Sequence, residues 1–275
     1  MTNALANSTQ LKVLDLSANR NITTEGWRSL FNALQSHDCV LQGLLLYNNG
    51  FSDEAMTHLS NALANNCVLR HLNLGRNDEI TISGWKAFAA VLQHPNSALE
   101  TVHLDRNHID DNVLVTLANS LMHSTVLKEL FLDDLDRSII TVTGWDAFSN
   151  ALCNKTSIDA TFNSNHTLQR FFHQERHEAQ LPTYLILLLR LNRELTKVEA
   201  ARWKILQVHF SGAFNMQPFI DMDLKALPHA IAWMAKDNHG SSLTYKFVRN
   251  TTFFFNVGSG GMEAANEPEP KRQKT

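Results

Sequence analysis

The chain lacks most of the features by which secreted, membrane-spanning and nucleic-acid-binding proteins are recognised. Its three cysteines among 275 residues are few and odd in number, which is typical of a reducing compartment. Cys39 and Cys67 could pair, although two buried thiols are the preferred interpretation. No signal peptide opens the sequence, and no apolar run reaches the roughly 18 residues of a membrane helix. Its net charge of -3 offers no basic excess for nucleic acid or an anionic membrane. These absences predict an intracellular protein, cytoplasmic or nuclear, with no nucleic-acid or membrane partner.

The motifs of common enzyme classes are also missing. There is no phosphate-binding P-loop, no G-x-S-x-G nucleophile elbow and no dinucleotide-binding G-x-G-x-x-G. His173 and His177 have the i, i+4 spacing of zinc-binding histidines on a helix, but Glu175 stands one position too late for a metalloprotease. We interpret this stretch as a solvated helix face. The sequence therefore predicts no catalytic residue, no cofactor and no metal site.

One frame, L-x-x-L-x-L-x-x-N, recurs along the first 167 residues. Its clearest copy runs from Leu69 through Leu72 and Leu74 to Asn77. Other copies, the last of them degenerate, begin 28 or 30 residues apart at Leu11, Leu41, Leu99, Leu127 and Ser157. The leucines predict strands that face a shared core, at residues 14–16, 44–46, 72–74, 102–104 and 130–132. The asparagine is expected to bind loop backbone groups that stacking would bury unpaired.

Each frame is followed by the spacing of a helix. Candidate N-capping residues come first, at Thr23, Ser52, Thr81, Asp110 and Thr141. Apolar residues then recur at i, i+4 and i+8, as at Ala55, Leu59 and Leu63, so one helix face should pack on the strand leucines. In the degenerate sixth copy, Phe162 and Asn165 take the positions of the last strand leucine and of the asparagine.

Long and short repeats alternate, and the long ones carry the motif I-T-x-x-G-W. Its glycine and tryptophan are Gly26-Trp27, Gly84-Trp85 and Gly144-Trp145. The glycine should let the helix approach its neighbour closely, and the tryptophan should pack in the core. The alternative is an exposed tryptophan stripe that binds a partner.

These alternating repeats resemble the leucine-rich repeat proteins of the ribonuclease-inhibitor type. The resemblance covers residues 1–167 and implies an α/β solenoid, a horseshoe with parallel strands inside and helices outside. It also implies a protein partner on the concave face. One branch of this repeat type activates GTPases, so the resemblance brings an alternative function, that of a GTPase-activating regulator of a small GTPase.

After residue 167 the repeat is lost, and the sequence predicts an α-helical C-terminal cap over residues 168–257. The expected helices are 168–180, 185–195, a helix opened by the capping box of Thr196 and Glu199, 224–236 and 243–255. The apolar stretch 185–191 should pack against the last repeat. Residues 258–275 have the composition of a disordered tail.

The N-terminal end is expected to be apolar. Residues 4–7 resemble residues 62–65, so the chain enters in the middle of a helix of an earlier repeat. Without a polar cap, the edges of Leu5, Leu14 and Leu44 should be exposed. We therefore expect self-association through this end unless a partner covers it.

The residues between the frame leucines should point away from the core and line the concave face. Most of them mix charges, as on any solvated strand face, but Tyr47 and Phe131 are aromatic where water is expected. Aromatic residues and arginine are the types that anchor interfaces. The predicted partner site comprises Tyr47, Arg70, Asn73, Arg76, His103, Asp105, Arg106, Phe131 and Asp133. The predicted function is that of a non-enzymatic protein-interaction or scaffold protein with an unidentified protein partner.

Overall fold

The computed structural model describes residues 10–36, 39–64, 66, 68–134, 139–173, 175–178 and 181–210. Within these residues, five strands form one parallel sheet in the order β1-β2-β3-β4-β5. The strands are β1 Val13–Asp15, β2 Gly43–Leu45, β3 His71–Asn73, β4 Thr101–His103 and β5 Glu129–Phe131. Each repeat therefore lies beside the next. The strands expected from the frame are confirmed, although each begins one residue earlier.

A helix follows every strand, as the apolar spacing predicts. These helices are α1 Thr24–Leu34, α2 Asp53–Ala64, α3 Ile82–Leu92, α4 Asp111–Leu121 and α5 Val142–Leu152. The expected capping side chains accept hydrogen bonds from the first-turn N–H groups of their helices: Thr23, Ser52, Thr81, Asp110 and Thr141. The α/β solenoid is thus confirmed, because a helix follows each strand and begins at the capping residue that the sequence predicts.

The core lies between the sheet and these helices. Leu44, Leu72, Val102 and Leu130 are register partners on neighbouring strands, and all are fully buried. Burying one such side chain contributes about 1.5–3 kcal/mol, and the gain is repeated in every turn of the solenoid. The same row of leucines therefore stabilises each repeat against the next.

The frame asparagines form a hydrogen-bonded ladder. The backbone N–H of Asn49 donates to Oδ1 of Asn77 at 2.9 Å, and that of Asn77 donates to Oδ1 of Asn107 at 2.7 Å. Nδ2 of Asn77 donates to the carbonyl oxygens of Leu46 and Leu74, at 3.0 and 2.9 Å. These bonds satisfy backbone groups that stacking removes from water, which confirms the role expected for the asparagine.

In the second and third long repeats, the I-T-x-x-G-W motif joins the long repeat to the short repeat before it. Oδ1 of Asp53, the first residue of α2, accepts from the N–H groups of Thr81 and Gly84 at 2.8 and 3.1 Å. A Cβ atom on Gly84 would lie 2.6 Å from that oxygen, so only glycine leaves room for the carboxylate. The next pair of repeats has the same arrangement, with Asp111, Thr141 and Gly144.

The tryptophans of the motif belong to the core. Trp27 and Trp85 are buried, and Trp145 is partly buried against the same cluster. The ring of Trp27 meets that of Phe51 edge-on, with centroids 4.9 Å apart. The packing interpretation is confirmed, and the alternative of an exposed stripe is wrong for Trp27 and Trp85.

The sixth frame does not begin at Ser157. Ser157 is instead the N-cap of a short helix, α6 Ile158–Phe162. The sheet continues further along the chain, where Arg170 forms a parallel bridge with Glu129. The N–H of Leu130 donates to the carbonyl of Arg170 at 3.1 Å, and that of Leu132 donates to the carbonyl of Phe171 at 2.8 Å. By this register Leu168, not Ser157, takes the position of the first frame leucine.

The helix expected over residues 168–180 is therefore wrong for residues 168–173. The described helical part of this range is α7 Glu175–Glu178. Backbone groups at the edge of β5 need partners, and an extended segment supplies them where a helix would not.

Asn165 is not part of the ladder. Its Oδ1 accepts from the N–H of Leu168 at 2.9 Å, as Oδ1 of Asn66 accepts from the N–H of Leu69 at 2.9 Å. Both asparagines stand three residues before a frame leucine and bind the backbone where the strand segment begins. The assignment of Asn165 to the last position of a frame is therefore wrong, because Asn165 stands before the first leucine of a frame.

Two further helices follow, α8 Thr183–Glu194 and α9 Lys197–Phe210. Leu185 and Leu189 of α8 are buried in the common core, as expected for residues 185–191. The capping box is confirmed, since the N–H of Thr196 donates to Glu199 at 3.0 Å and the N–H of Glu199 donates to Thr196 at 3.3 Å. No helix in the described part is long and apolar enough to cross a membrane.

The described residues up to His209 form one compact unit. The helices expected at 224–236 and 243–255 and the tail 258–275 lie outside the described residues. The domain boundaries at 167 and 257 stay predictions.

At the N-terminal end of the sheet, β1 is the edge strand among the described residues. Leu11 and Val13 are exposed there, at 38% and 57%. Leu14 is partly buried, but Leu44 is fully buried between β1 and β3, so the expectation of an exposed Leu44 is wrong. Residues 4–7 and Cys67 lie outside the described residues, whereas Cys39 is a free, buried thiol.

Candidate interaction surface on the concave face

The strand side chains opposite the helices form rows across the sheet, on the face that we call the concave face. The central row consists of register partners from all five strands, namely Asp15, Leu45, Asn73, His103 and Phe131. A second row occupies the turns that follow the strands, at Ser17, Tyr47, Gly75, Asp105 and Asp133. Since neighbouring strands lie about 4.8 Å apart, the expected partner residues of these rows are brought together on one surface.

Tyr47 lies across the neighbouring turn. A Cβ atom on Gly75 would come within 2.9 Å of Cδ2 of Tyr47, so the absence of a side chain at Gly75 makes room for the ring. Oδ1 of Asn73 accepts from the N–H of Gly75 at 2.9 Å, which fixes the turn beneath the tyrosine. The phenol of Tyr47 therefore reaches the turn of the repeat beyond, where its oxygen accepts from Nη1 of Arg106 at 3.2 Å.

Arg106 is held from both sides. Its Nε and Nη2 atoms each lie 2.9 Å from Oδ2 of Asp134, while Nη1 donates to Tyr47. The hydrogen bonds with Asp134 and Tyr47 hold the pKa of Arg106 above its ordinary value. The side chains of Arg106 and Asp134 are each 55% exposed, so a partner could reach them. We call Tyr47, Arg106 and Asp134 the Tyr47–Arg106 patch.

Arg76 and Arg106 occupy the same position of consecutive frames, in the turn and not on a strand. Both have left-handed backbones, with φ of 54° and 56°, as do the equivalent residues Ala18, Asn48 and Asp134. Arg76 is exposed beside the Tyr47–Arg106 patch. The two arginines therefore lie at the edge of the sheet and not at its centre.

Charged side chains of neighbouring repeats bind one another at the opposite edge of the sheet, where the strands begin. Glu100 accepts hydrogen bonds from Arg70 and, at 2.7 Å, from Lys128. Lys128 and Arg70 together hold the pKa of Glu100 below its usual value, against the opposing effect of burial. The predicted partner site included Arg70 but not Glu100 and Lys128, and the spacing of one frame between successive members of this set is the signal that could have linked them.

Phe131 is not the exposed anchor that was expected. It is only 5% exposed, and its ring stacks on that of His173 with centroids 3.8 Å apart and planes 15° from parallel. His103 lies against the same ring at 4.8 Å. The cause is the segment 168–173, which lies beside β5 and places His173 over the phenylalanine.

Asp133 is also enclosed. It accepts from Nδ1 of His173 at 2.7 Å and from Nδ1 of His177 at 2.8 Å. Burial acts to raise the pKa of Asp133, but the hydrogen bonds from His177 and His173 bring it below its ordinary value. The expectation that the two histidines form a solvated helix face is therefore wrong, because both bind this carboxylate. The frame that begins at Leu168 brings His173 next to β5, but it assigns His173 the core position of Leu132, so no sequence signal places its ring over Phe131.

Comparison with known proteins identifies the repeats. A family model described as leucine rich repeat matches residues 7–31 and 65–89. The chain is 33% identical over 170 residues to NACHT, LRR and PYD domains-containing protein 14 of Mus musculus, a match that covers 62% of this chain and 16% of that protein. It is 35% identical over 128 residues to NACHT, LRR and PYD domains-containing protein 5 of Mus musculus, covering 46% and 11%. The chain thus spans only a small part of the length of these relatives.

Among solved structures, the tropomodulin C-terminal domain of Caenorhabditis elegans aligns with a TM-score of 0.43 and 16% identity, over 70% of this chain and 91% of that one. Leiomodin-1 actin-binding site 2 aligns with a TM-score of 0.41 and 17% identity, over 75% and 92%. The recurring frame, the asparagine ladder, the parallel sheet and the matched repeats together show that this chain is a leucine-rich repeat protein.

Proposed function

We propose that this chain is a protein-interaction module that binds a protein partner on its concave face, centred on the Tyr47–Arg106 patch. The observation that carries the proposal is the placement of Tyr47 over Gly75 and its hydrogen bond with Arg106. Tyrosine and arginine are enriched among the residues that dominate binding energy. Both side chains are already held in place, so they lose less conformational freedom when a partner binds.

The surroundings of the patch resemble the polar rim of an interface. Asn73 and Arg76 lie beside Tyr47 and Arg106, while Arg70 pairs with Glu100 across the sheet. Exposed ion pairs of this kind contribute only about 0–1 kcal/mol to folding, so stability alone gives little reason for them. They suit a partner surface that carries both signs of charge. Phe131 is left out of the proposed contact set because it is buried.

The alternative of a GTPase-activating regulator rests on the sequence resemblance alone. Arg106 is bound by Asp134 and Tyr47 rather than free to enter a partner's nucleotide site. No contact in the described part of the chain singles out Arg76 for that role. We therefore propose a non-enzymatic binding function, and we expect no stimulation of hydrolysis across a panel of small GTPases.

A binding experiment with the full chain tests the proposal. Partners captured by the wild-type chain are identified, and their affinities are measured for the double variant Tyr47→Ala/Arg106→Ala. We expect the affinity to fall on the order of tenfold or more, because anchor residues of these types are removed. The matched control is Arg28→Ala on α1, which removes an exposed arginine that pairs with Glu25 on the helical side. Unchanged binding by the double variant, with loss of binding by the control, would overturn the proposal.

A further inference from the structure

A second set of polar side chains lies on the concave face, toward its C-terminal end. His103 belongs to β4, Asp105 to the turn after it, and His173 to the segment beside β5. Each offers one potential ligand atom, and these three atoms lie within 4.8 Å of one another. None of the three residues belongs to the Tyr47–Arg106 patch, so this cluster is a separate candidate site.

The orientation of His173 leaves one ring nitrogen for a ligand. Its Nδ1 lies 2.7 Å from Oδ2 of Asp133, and its backbone N–H donates to the same oxygen at 3.1 Å. A carboxylate only accepts hydrogen bonds, so Nδ1 of His173 donates to Asp133, and Nε2 is the ring nitrogen that can face a ligand. Histidines that bind metals commonly donate their other N–H to a carboxylate, which fixes the ring and strengthens the ligand.

Asp105 is oriented in a similar way. Its Oδ1 accepts from the backbone N–H of Asp133 at 3.2 Å. Its Oδ2 lies 3.7 Å from Nδ1 of His103 and is turned toward the cluster. Asp133 thus orients two residues of the cluster, since its backbone N–H positions Asp105 and its carboxylate positions His173.

We propose that His103, Asp105 and His173 bind a divalent transition-metal ion, with Zn²⁺ as the best-matched case, and that Asp133 positions two of the three ligands. Two imidazoles and a carboxylate suit zinc and its neighbours, whereas magnesium and calcium prefer oxygen ligands alone. Three protein ligands would leave a fourth position open to water or to a side chain of another molecule.

The geometry needs only a small adjustment. Zinc–ligand distances of about 2.0–2.2 Å place tetrahedral donor atoms roughly 3.4 Å apart, so donors up to 4.8 Å apart must move closer. A small shift of the His173 ring, with Nδ1 still bound to Asp133, can supply this movement because the side chain is 45% exposed. Asp105 and His103 are more enclosed and form the fixed part of the site.

Metal binding by the full chain, prepared without a polyhistidine tag and stripped of metal with a chelator, tests this assignment. Zn²⁺ is titrated by calorimetry, and Co²⁺ is used as an optical probe, because four-coordinate cobalt has a characteristic visible absorption. We expect one ion per chain and a higher melting temperature in the presence of Zn²⁺, since the metal binds the folded state. Failure of the wild-type chain to bind one Zn²⁺ would overturn the assignment.

The variants separate a metal site from a hydrogen-bonded stack of rings. Asp105→Asn keeps an oxygen to accept from the N–H of Asp133, so it should fold, yet it should bind Zn²⁺ at least tenfold more weakly. His173→Ala should have a similar effect, and Asp133→Asn should weaken binding by about 10–100-fold through the lost support of His173. His71→Ala, an exposed histidine of β3 on the same face, is the control and should bind as the wild type does. Wild-type affinity in both Asp105→Asn and His173→Ala, or an equal loss in His71→Ala, would contradict the proposed site.

Discussion

Lys204 of α9 has almost no contact with solvent, which is rare for a lysine. It is 1% exposed, and its Nζ lies 2.7 Å from the carbonyl of Leu152 and 2.8 Å from Oδ1 of Asn192. Leu152 is the last residue of α5, so the amine binds a helix carbonyl that has no partner within its own helix. Burial lowers the pKa of Lys204 to about 7. Burial, together with the charge of Lys204, lowers that of His166 to about 4.

The pKa of Lys204 leads to a pH-dependence of stability. A lysine of the unfolded chain titrates near 10.5, so between pH 7 and that value the folded protein binds fewer protons than the unfolded chain. The free energy of unfolding should therefore rise with pH from 7 upward, by at most about 1.4 kcal/mol per pH unit for one proton. Burial raises the pKa of Cys153 above 9.0, which opposes the rise beyond that pH. Denaturant unfolding between pH 7 and 9 measures the slope.

The variant Lys204→Met provides the comparison for this slope. It keeps an unbranched side chain only one atom shorter and removes the titrating amine, so its free energy of unfolding should lose the rise. A slope that is equal in the variant and the wild type would show that Lys204 does not cause it.

Asn77 supplies a second prediction at the level of one residue. Its side chain is fully buried and binds carbonyls of two frames, while its Oδ1 accepts from Asn49. Asn77→Ala should lower the free energy of unfolding by about 1–3 kcal/mol, because buried backbone groups lose their partners. Asn19→Ala is the matched control, since Asn19 makes equivalent bonds with Leu16 and Ser17 but is exposed to water. Equal melting temperatures for wild type and Asn77→Ala would refute the role of the ladder.

At the scale of elements, the pairing of long and short repeats depends on Gly84. Its missing Cβ leaves room for Asp53, which binds the first turn of α3 through Thr81 and Gly84. Gly84→Ala should lower the free energy of unfolding by about 1–3 kcal/mol, because the added methyl group would overlap the carboxylate and Ile80. Ser83→Ala alters an exposed neighbour in the same turn and should change stability by no more than about 0.5 kcal/mol. Comparable stability of the two variants in thermal unfolding would argue against this close contact.

The first five strands and their helices could be predicted because their signal is local and repeats. Leu72 and Leu74 specify a strand, and Thr81 specifies a helix start, without reference to distant residues. The sixth strand segment could not be placed, because α6 is inserted before Leu168 while Ser157 happens to preserve the repeat spacing. A frame with Phe171 and His173 in place of leucines is too altered to be recognised by its spacing alone.

The candidate site could be predicted only in part, and for the same reason. Tyr47 and Arg106 were suggested by their residue types, but their contact joins residues 59 positions apart and depends on the empty space at Gly75. The burial of Phe131 depends on His173, whose place follows from the sixth strand segment. Local periodicity therefore identifies the surface, and long-range packing decides which of its residues stay exposed. The ribonuclease-inhibitor subtype stays a prediction.

At the scale of the whole molecule, we propose that the chain self-associates through the exposed edge at β1. Leu11 and Val13 are apolar and exposed there, and β1 is the edge strand among the described residues, where another chain could add a strand. Light scattering should show an average mass that rises with concentration for the wild type. Val13→Lys should suppress the rise, because a charge on an edge strand opposes pairing. A monomer at every concentration tested would contradict the proposal.

The measurement that tests the central claim most directly is site-specific photo-crosslinking of the full chain to its captured partner. A photoreactive amino acid is placed at His71, which is exposed on the concave face of β3, or at Lys86, which is exposed on α3 of the same repeat. The two positions share one repeat, so differences in folding between the variants are kept small. We expect a covalent adduct with the partner from position 71 and none from position 86. An adduct from position 86 without one from position 71 would place the partner on the helices and contradict binding on the concave face.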